Sequence, residues 1–316
     1  MKPEEKQHAS GFIRTISGDI SLLDVGYTLC HEHGFLALNK ESLPEINGYM
    51  GKIEKRMARD FKNLVSKGVN LFVEATPIGY CRPVEMWQRI GTKTGMNVVA
   101  STGCYVGSYI KPAERRKTVD VLARFFVNEL TLGIDGTKCP AGVIKVASDG
   151  YELENYEKNV FSAAALVHLK TGAPITTHSP LAALAHLDKL AELGIPAEVV
   201  ALGHIEVNSW VDILKVAKKG AMLLFTNFGG ENIIPEDMII AQIRDMIRRG
   251  YLSQVLISVD MYLYFKSGRL LYRNPGGYEQ LVTRVLEKMT KIGIKPKWID
   301  KILRENPLKH LRWNQN

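Results

Sequence analysis

A chain of 316 residues with 46% hydrophobic and 23% charged side chains has the make-up of an ordinary globular protein with a sizeable core, which excludes disorder. Its 41 basic against 33 acidic side chains leave a formal charge of +8, but clusters such as Arg115-Arg116-Lys117 and Arg248-Arg249 read as solvated helix faces, and without an aromatic-interleaved basic stripe no nucleic-acid partner is expected. Four dispersed cysteines (Cys30, Cys81, Cys104, Cys139), an opening Met1-Lys2-Pro3-Glu4-Glu5-Lys6 without an apolar leader, and no run of about 18 apolar residues point to a cytoplasmic, reducing location with no membrane partner.

In chain order, short β-branched apolar runs alternate with longer amphipathic stretches. The runs fall at residues 27–30, 70–74, 97–101, 142–146, 174–177, 199–203, 221–225 and 254–259. Each ends in a polar or glycine-rich turn, the βαβα pattern of a parallel sheet. Glycine precedes several of them, in Lys67-Gly68, Thr94-Gly95, Thr171-Gly172 and Lys219-Gly220, where a helix needs a C-cap. Apolar residues recur at helical spacing over 161–169, 181–193 and 238–247. Eight strands with helical connections, and no GxGxxG turn, predict an α/β fold of the closed (β/α)8 TIM barrel type rather than an open doubly wound sheet. A single hydrolase domain over residues 1–316 accommodates such a barrel.

His31-Glu32-His33 follows the first run, and because alternate strand residues share a face, both imidazoles can point into the barrel mouth. Alone, such a pair is weak evidence for metal ligands and reads more readily as two hydrogen-bonded strand-end histidines. Its company is more telling. Lys145 lies in the fourth run, His178 ends the fifth, His204 ends the sixth and Asp260 ends the eighth, so four of only eight histidines close strands. A barrel gathers those ends around one mouth. An inward lysine beside cations needs an explanation; carbamylation would turn Lys145 into an anionic arm able to bridge two metals, and the alternative is a lysine snorkelling to the rim.

The sequence resembles the phosphotriesterase family of the amidohydrolase superfamily over nearly its whole length. The likeness runs through Gly11-Phe12-Ile13-Arg14-Thr15, Gly18-Asp19-Ile20, Thr28-Leu29-Cys30-His31-Glu32-His33, Gly133-Ile134-Asp135-Gly136-Thr137, Ala141-Gly142-Val143-Ile144-Lys145, Thr176-Thr177-His178, Gly203-His204, Ile257-Ser258-Val259-Asp260, Gly276-Gly277-Tyr278 and Asn306-Pro307. It implies two divalent ions per chain, zinc being the usual occupant. His31, His33 and Asp260 would hold the more buried ion and His178 and His204 the more exposed one, with carbamylated Lys145 and a hydroxide bridging them. Asp260 would also take up the proton. Relatives are commonly dimers, so a homodimer is a partner expectation from the resemblance alone.

The chain departs from the family in places. Many relatives carry an acidic residue three positions after the strand-six histidine, as part of a proton relay; here that position is Val207, with Glu206 one place earlier. Asn227 stands where a histidine or arginine is common, and Gly34 where a leucine is. Tyr105, after the third run, is a candidate substrate contact or a rim aromatic.

The segment 261–273 after Asp260 mixes three tyrosines with Lys266, Arg269 and Arg273, which reads either as an ordinary amphipathic lid or as an anion-binding loop. The leading expectation is hydrolysis of a small-molecule lactone or carboxylic ester, including an anionic or phosphorylated sugar lactone. Phosphotriester hydrolysis (aryldialkylphosphatase activity) is the runner-up, and a metal-holding binding protein of poor activity is the reading of another class.

Overall fold

The computed structural model describes residues 11–37, 48–229, 234–266 and 269–314. Residues 1–6, and Ser267 and Gly268 of the segment after Asp260, lie outside them.

Eight parallel strands follow one another round a single sheet: β3 (Tyr27–Glu32), β4 (Val69–Glu74), β5 (Asn97–Gly103), β6 (Val143–Ala147), β7 (Ile175–His178), β8 (Val200–Gly203), β9 (Met222–Phe225) and β10 (Val255–Ile257). The main connecting helices are α1 (Met50–Val65), α2 (Val84–Thr94), α3 (Val119–Thr131), α4 (Asn155–Thr171), α5 (Ala183–Glu192), α6 (Trp210–Lys219) and α7 (Glu236–Arg248). This is the (β/α)8 barrel that the alternation of runs predicts. Strands covered on both faces are buried throughout rather than alternating: every residue of β6, β8, β9 and β10 is buried, and all are apolar but Lys145 and Gly203. The helices bury one stripe: α1 turns Ile53, Met57, Phe61 and Leu64 inward.

The strand ends shift by a few residues from the sequence reading, and two shifts matter. The first strand runs on to Glu32, so His31 lies within it rather than beyond it. The last is shorter than 254–259, ending at Ile257, so Asp260 stands past the regular strand. The reason is the seam of the barrel. The ladder pairs each strand with the next from β3 to β10, while β10 and β3 meet through other bonds. His31 N–H donates to Ser258 Oγ (2.9 Å), Asp260 N–H to the His31 carbonyl (3.2 Å), and His33 N–H to the Met261 carbonyl (2.9 Å). The fully buried Glu32 carboxylate accepts from Ser258 Oγ (2.5 Å), Val259 N (2.8 Å) and Met261 N (2.7 Å).

Two hairpins escape the strand-and-helix pattern. β1 (Phe12–Thr15) and β2 (Gly18–Ser21) join β13 (Arg312–Trp313) in a small antiparallel sheet. It closes the end of the barrel where β6 begins: Trp313 Nε1 donates to the Gly142 carbonyl (2.9 Å), and a Cβ on Gly142 would sit 2.2 Å from the Arg14 carbonyl oxygen. The segment after Asp260 forms a second hairpin, β11 (Leu263–Lys266) and β12 (Arg269–Tyr272). It is moored to α1, where Arg56 Nε donates to Tyr272 Oη (2.7 Å) and Tyr272 donates to Asp60.

Because three donors converge on the Glu32 carboxylate, Glu32→Gln is expected to lower the melting temperature by several degrees. A glutamine must turn its amide donors toward N–H groups that have no other acceptor, at about 1–3 kcal/mol for each group left unsatisfied. A melt within one degree of the parent would show that the seam does not depend on this carboxylate.

Candidate metal centre

All six residues expected from the sequence lie at the C-terminal mouth, supplied by β3, β6, β7 and the turns after β8 and β10. His31 Nε2 is 2.9 Å from Lys145 Nζ and 3.8 Å from Asp260 Oδ1, and His33 Nε2 is 3.3 Å from the same oxygen. The His204 ring lies 5.1 Å from that of His31 and 4.3 Å from that of His178. His31, His204 and Asp260 each offer a ligand atom within 4.8 Å of the others. Donors around one tetrahedral zinc at about 2.1 Å stand about 3.4 Å apart, so the spacings about His31, His33 and Asp260 fit a cation. The chemistry of the set, imidazole and carboxylate with one buried amine, fits as well.

Each strand end places its residue differently. His31 and His33 follow the period of β3. His204 and Asp260 instead take left-handed backbone, with φ of 58° and 49°. Such a conformation in a non-glycine residue costs on the order of 1–3 kcal/mol and persists where surrounding structure enforces it. Gly34 makes room at the first strand: a Cβ there would lie 2.6 Å from the Trp87 ring, and its N–H donates to Glu74 Oε2 (2.6 Å). A leucine would not fit.

Second partners orient three of the rings. His33 Nδ1 bonds Thr76 Oγ1 (2.8 Å), which donates to the Glu74 carboxylate. His204 Nδ1 bonds Thr226 Oγ1 (2.7 Å), which donates to Glu206 Oε1 (3.2 Å), leaving His204 Nε2 buried without a protein partner. His178 is held at Nε2, by Asp149 Oδ1 (3.0 Å) and by the Tyr105 hydroxyl (3.3 Å). His31 Nδ1 is buried without a protein partner. An orphaned buried nitrogen such as His204 Nε2, aimed into a cluster of donors, is what a metal ligand looks like.

Burial pushes His31, His178 and His204 below the ordinary imidazole range, which keeps them neutral and able to coordinate. Burial likewise lowers the Lys145 amine to about 7. For Asp260 burial works upward, but the Arg273 guanidinium and the His33 hydrogen bond outweigh it and hold the carboxyl well below its usual range. Burial raises the Glu206 carboxyl despite the donors around it.

The missing relay is replaced by a different circuit. Glu206 accepts from Asn227 Nδ2 (2.5 Å) and Asn227 N (2.9 Å) as well as from Thr226. Asn227 Oδ1 accepts from Arg273 Nη2 (3.0 Å), and Arg273 Nη1 is paired with Asp260. An open hydrogen-bonded chain therefore runs from Asp260 through Arg273, Asn227, Glu206 and Thr226 to His204. Asn227, Tyr105 and Arg273 are thus all at the site. Lys266 and Arg269 are not brought to it; they face each other at the tip of the β11–β12 hairpin, both exposed. Sequence reasoning missed Glu32, Glu74, Thr76, Asp149 and Thr226 as supporting groups. Their one signal is position, within a few residues of a strand's C-terminal end.

Residues 11–311 match the Phosphotriesterase family. The chain belongs to this family. It is 30% identical over 293 residues to the phosphotriesterase homology protein of Escherichia coli, covering 89% of this chain and 96% of that protein. It is 26% identical to the N-acetyltaurine hydrolase of Xenopus tropicalis, covering 94% and 97%. Among solved structures, a lactonase of Listeria monocytogenes superposes with a TM-score of 0.83 over 96% of this chain and all of that one, at 24% identity, which bears on the fold. As a member of this family the chain is a hydrolase.

Thr226→Val nearly preserves shape and removes the hydroxyl between His204 and Glu206. Zinc affinity is expected to fall about 10–100-fold, the usual loss when a ligand's supporting group is removed. Competition titration against a chromophoric chelator measures it; parent-like affinity would show that the hydroxyl does not orient His204.

Proposed function

We propose that this chain hydrolyses a lactone or carboxylic ester bearing an anionic group, with two zinc ions held by His31, His33, His178, His204 and Asp260 and bridged by carbamylated Lys145. The observation that carries the reading is the combination, in one mouth, of depressed buried imidazoles, a fully buried lysine and a guanidinium on Asp260. Such ions would supply an acidified water, its pKa brought to near 7, and a Lewis acid for the acyl oxygen.

The chain's own residues do the rest. Lys145 is fully buried, and its Nζ reaches His31 Nε2 and, at 3.4 Å, the Thr177 carbonyl. With its pKa near 7, much of the amine is unprotonated at neutral pH. Its lone pair can form an N–C bond with carbon dioxide, losing one N–H proton to solvent, and the product carries the negative charge that two cations require. Asp260 divides its carboxylate, Oδ1 toward His33 and Oδ2 toward Arg273. That leaves Oδ1 beside the His33 ring, where it would ligate a cation and could take up a proton from a water nucleophile. Arg273, its side chain 27% exposed, gives Nη1 to Asp260 and Nη2 to Asn227 and would turn its Nε–H and remaining Nη2 N–H to a carboxylate, phosphate or sulfonate on the substrate.

The N-acetyltaurine hydrolase relative supports a second reading through the same arginine: an amide whose acyl group is cut from an anionic amine. The two readings differ in leaving group and share the anion subsite.

The test is a pH-indicator assay of zinc-loaded protein with plain lactones, phosphorylated sugar lactones, N-acyl aminosulfonates and an activated phosphotriester, each repeated with chelator. An anionic lactone is expected to exceed the phosphotriester by at least about 100-fold in kcat/KM, about 2.7 kcal/mol of transition-state preference. Turnover of the phosphotriester alone would overturn the acyl reading. Elemental analysis is expected to give close to two zinc ions per chain and fewer in Lys145→Ala; full occupancy in that variant would remove the bridging role. Arg273→Met should raise KM for the anionic lactone at least about tenfold more than for a neutral one, the loss of a charge-assisted pair, and an equal effect on both would remove the anion subsite.

A further inference from the structure

Of the three oriented histidines, His178 is held in a different way. His33 and His204 are tied at Nδ1 through threonine hydroxyls, while His178 is tied at Nε2, directly, by a carboxylate. We propose that Asp149 is a positioning residue that fixes the His178 tautomer and turns its Nδ1 toward the more exposed cation. This rests on the two-cation reading above.

An ionised carboxylate can only accept, so the His178 nitrogen facing Asp149 Oδ1 at 3.0 Å must carry the proton. In a neutral ring the lone pair then belongs to Nδ1. Only that nitrogen can bind a metal, and the ring lies 4.3 Å, edge to face, from that of His204, whose own Nε2 has no protein partner. The Tyr105 hydroxyl also approaches Nε2, at 3.3 Å, and is the weaker acceptor of the two. Without Asp149 the ring could exchange tautomers, and the fraction with its lone pair on Nε2 would not coordinate.

The placement of Asp149 follows from β6. That strand carries Lys145 and ends at Ala147, and the chain then turns over β7. Ser148 N–H donates to the His178 carbonyl (3.1 Å) and Ser148 Oγ bonds the buried His186 Nε2 (2.6 Å). The backbone on one side of Asp149 is therefore pinned to the histidine that Asp149 orients. One strand would supply the bridging ligand and, four residues later, the group that aims a ligand of the outer ion. The Asp149 side chain is 48% exposed, so its replacement removes little packing.

Zinc titrations of parent, Asp149→Ala, Asp149→Asn and Tyr105→Phe, each against a chelator that buffers free zinc, test this. Asp149→Ala is expected to bind its second zinc about 10–100-fold more weakly with the first unchanged, and excess zinc should restore kcat. Asp149→Asn keeps an acceptor oxygen and should retain most of the affinity, and Tyr105→Phe should change it less than Asp149→Ala does. Melting of the metal-free proteins within a few degrees of one another confirms that all four are folded. A parent-like second affinity in Asp149→Ala would overturn the role, as would an equal loss in Asp149→Asn. A parent that takes up fewer than two ions would overturn the two-cation reading itself, and the Asp149 role with it.

Discussion

The closure of the barrel between its first and last strands is the constraint on which the site depends. His31 and His33 come from one side of that seam and Asp260 from the other, and they become neighbours only because the seam is held at that point. Glu32 does much of the holding. Set between the two histidines in sequence, it turns to the opposite face of its strand and collects donors from Ser258, Val259 and Met261. The strand alternation that sends two imidazoles into the mouth therefore sends a carboxylate into the seam. The same bonds draw the chain out of the regular β10 ladder and into the left-handed turn at Asp260.

Once the mouth is closed, desolvation determines its chemistry. Imidazoles out of water stay neutral, and an amine out of water gives up its proton readily. A surface cluster of the same residues would hold protonated histidines and an ammonium, and would repel a cation. Here burial produces a donor set, and the carboxylates behind it, Glu74, Glu206 and Asp149, accept from groups bonded to the rings or from the rings themselves. The protein thus places carboxylates one or two hydrogen bonds behind the rings.

The hydrogen-bonded chain from Asp260 through Arg273, Asn227, Glu206 and Thr226 to His204 gives the departures from the family pattern a common meaning. With Val207 in place of an acid and Asn227 in place of a base, no chain of titratable groups leads away from Asp260 among the described residues. What remains is an orienting circuit in which a guanidinium occupies one oxygen of Asp260. Such an arrangement sets a guanidinium at the mouth in place of a proton path, the feature on which the proposed anionic substrate rests.

The barrel and the six principal residues were legible in the sequence because both rest on local regularities. Apolar runs buried on both faces mark the strands, glycine caps mark the helix ends, and a barrel puts every strand's C-terminal end at one mouth, so residue type and strand position suffice to collect the candidate ligands. The family resemblance then ordered them. What the sequence could not decide depends on side-chain direction and on contacts between distant segments: that Glu32 closes a seam, that Arg273 reaches Asp260 while Lys266 and Arg269 stay at a hairpin tip, and that Glu206 rather than Val207 joins the circuit. The first pattern repeats along the chain and can be counted. The second is fixed by which atoms come within about 3 Å once the sheet has closed, and only the tertiary structure decides that.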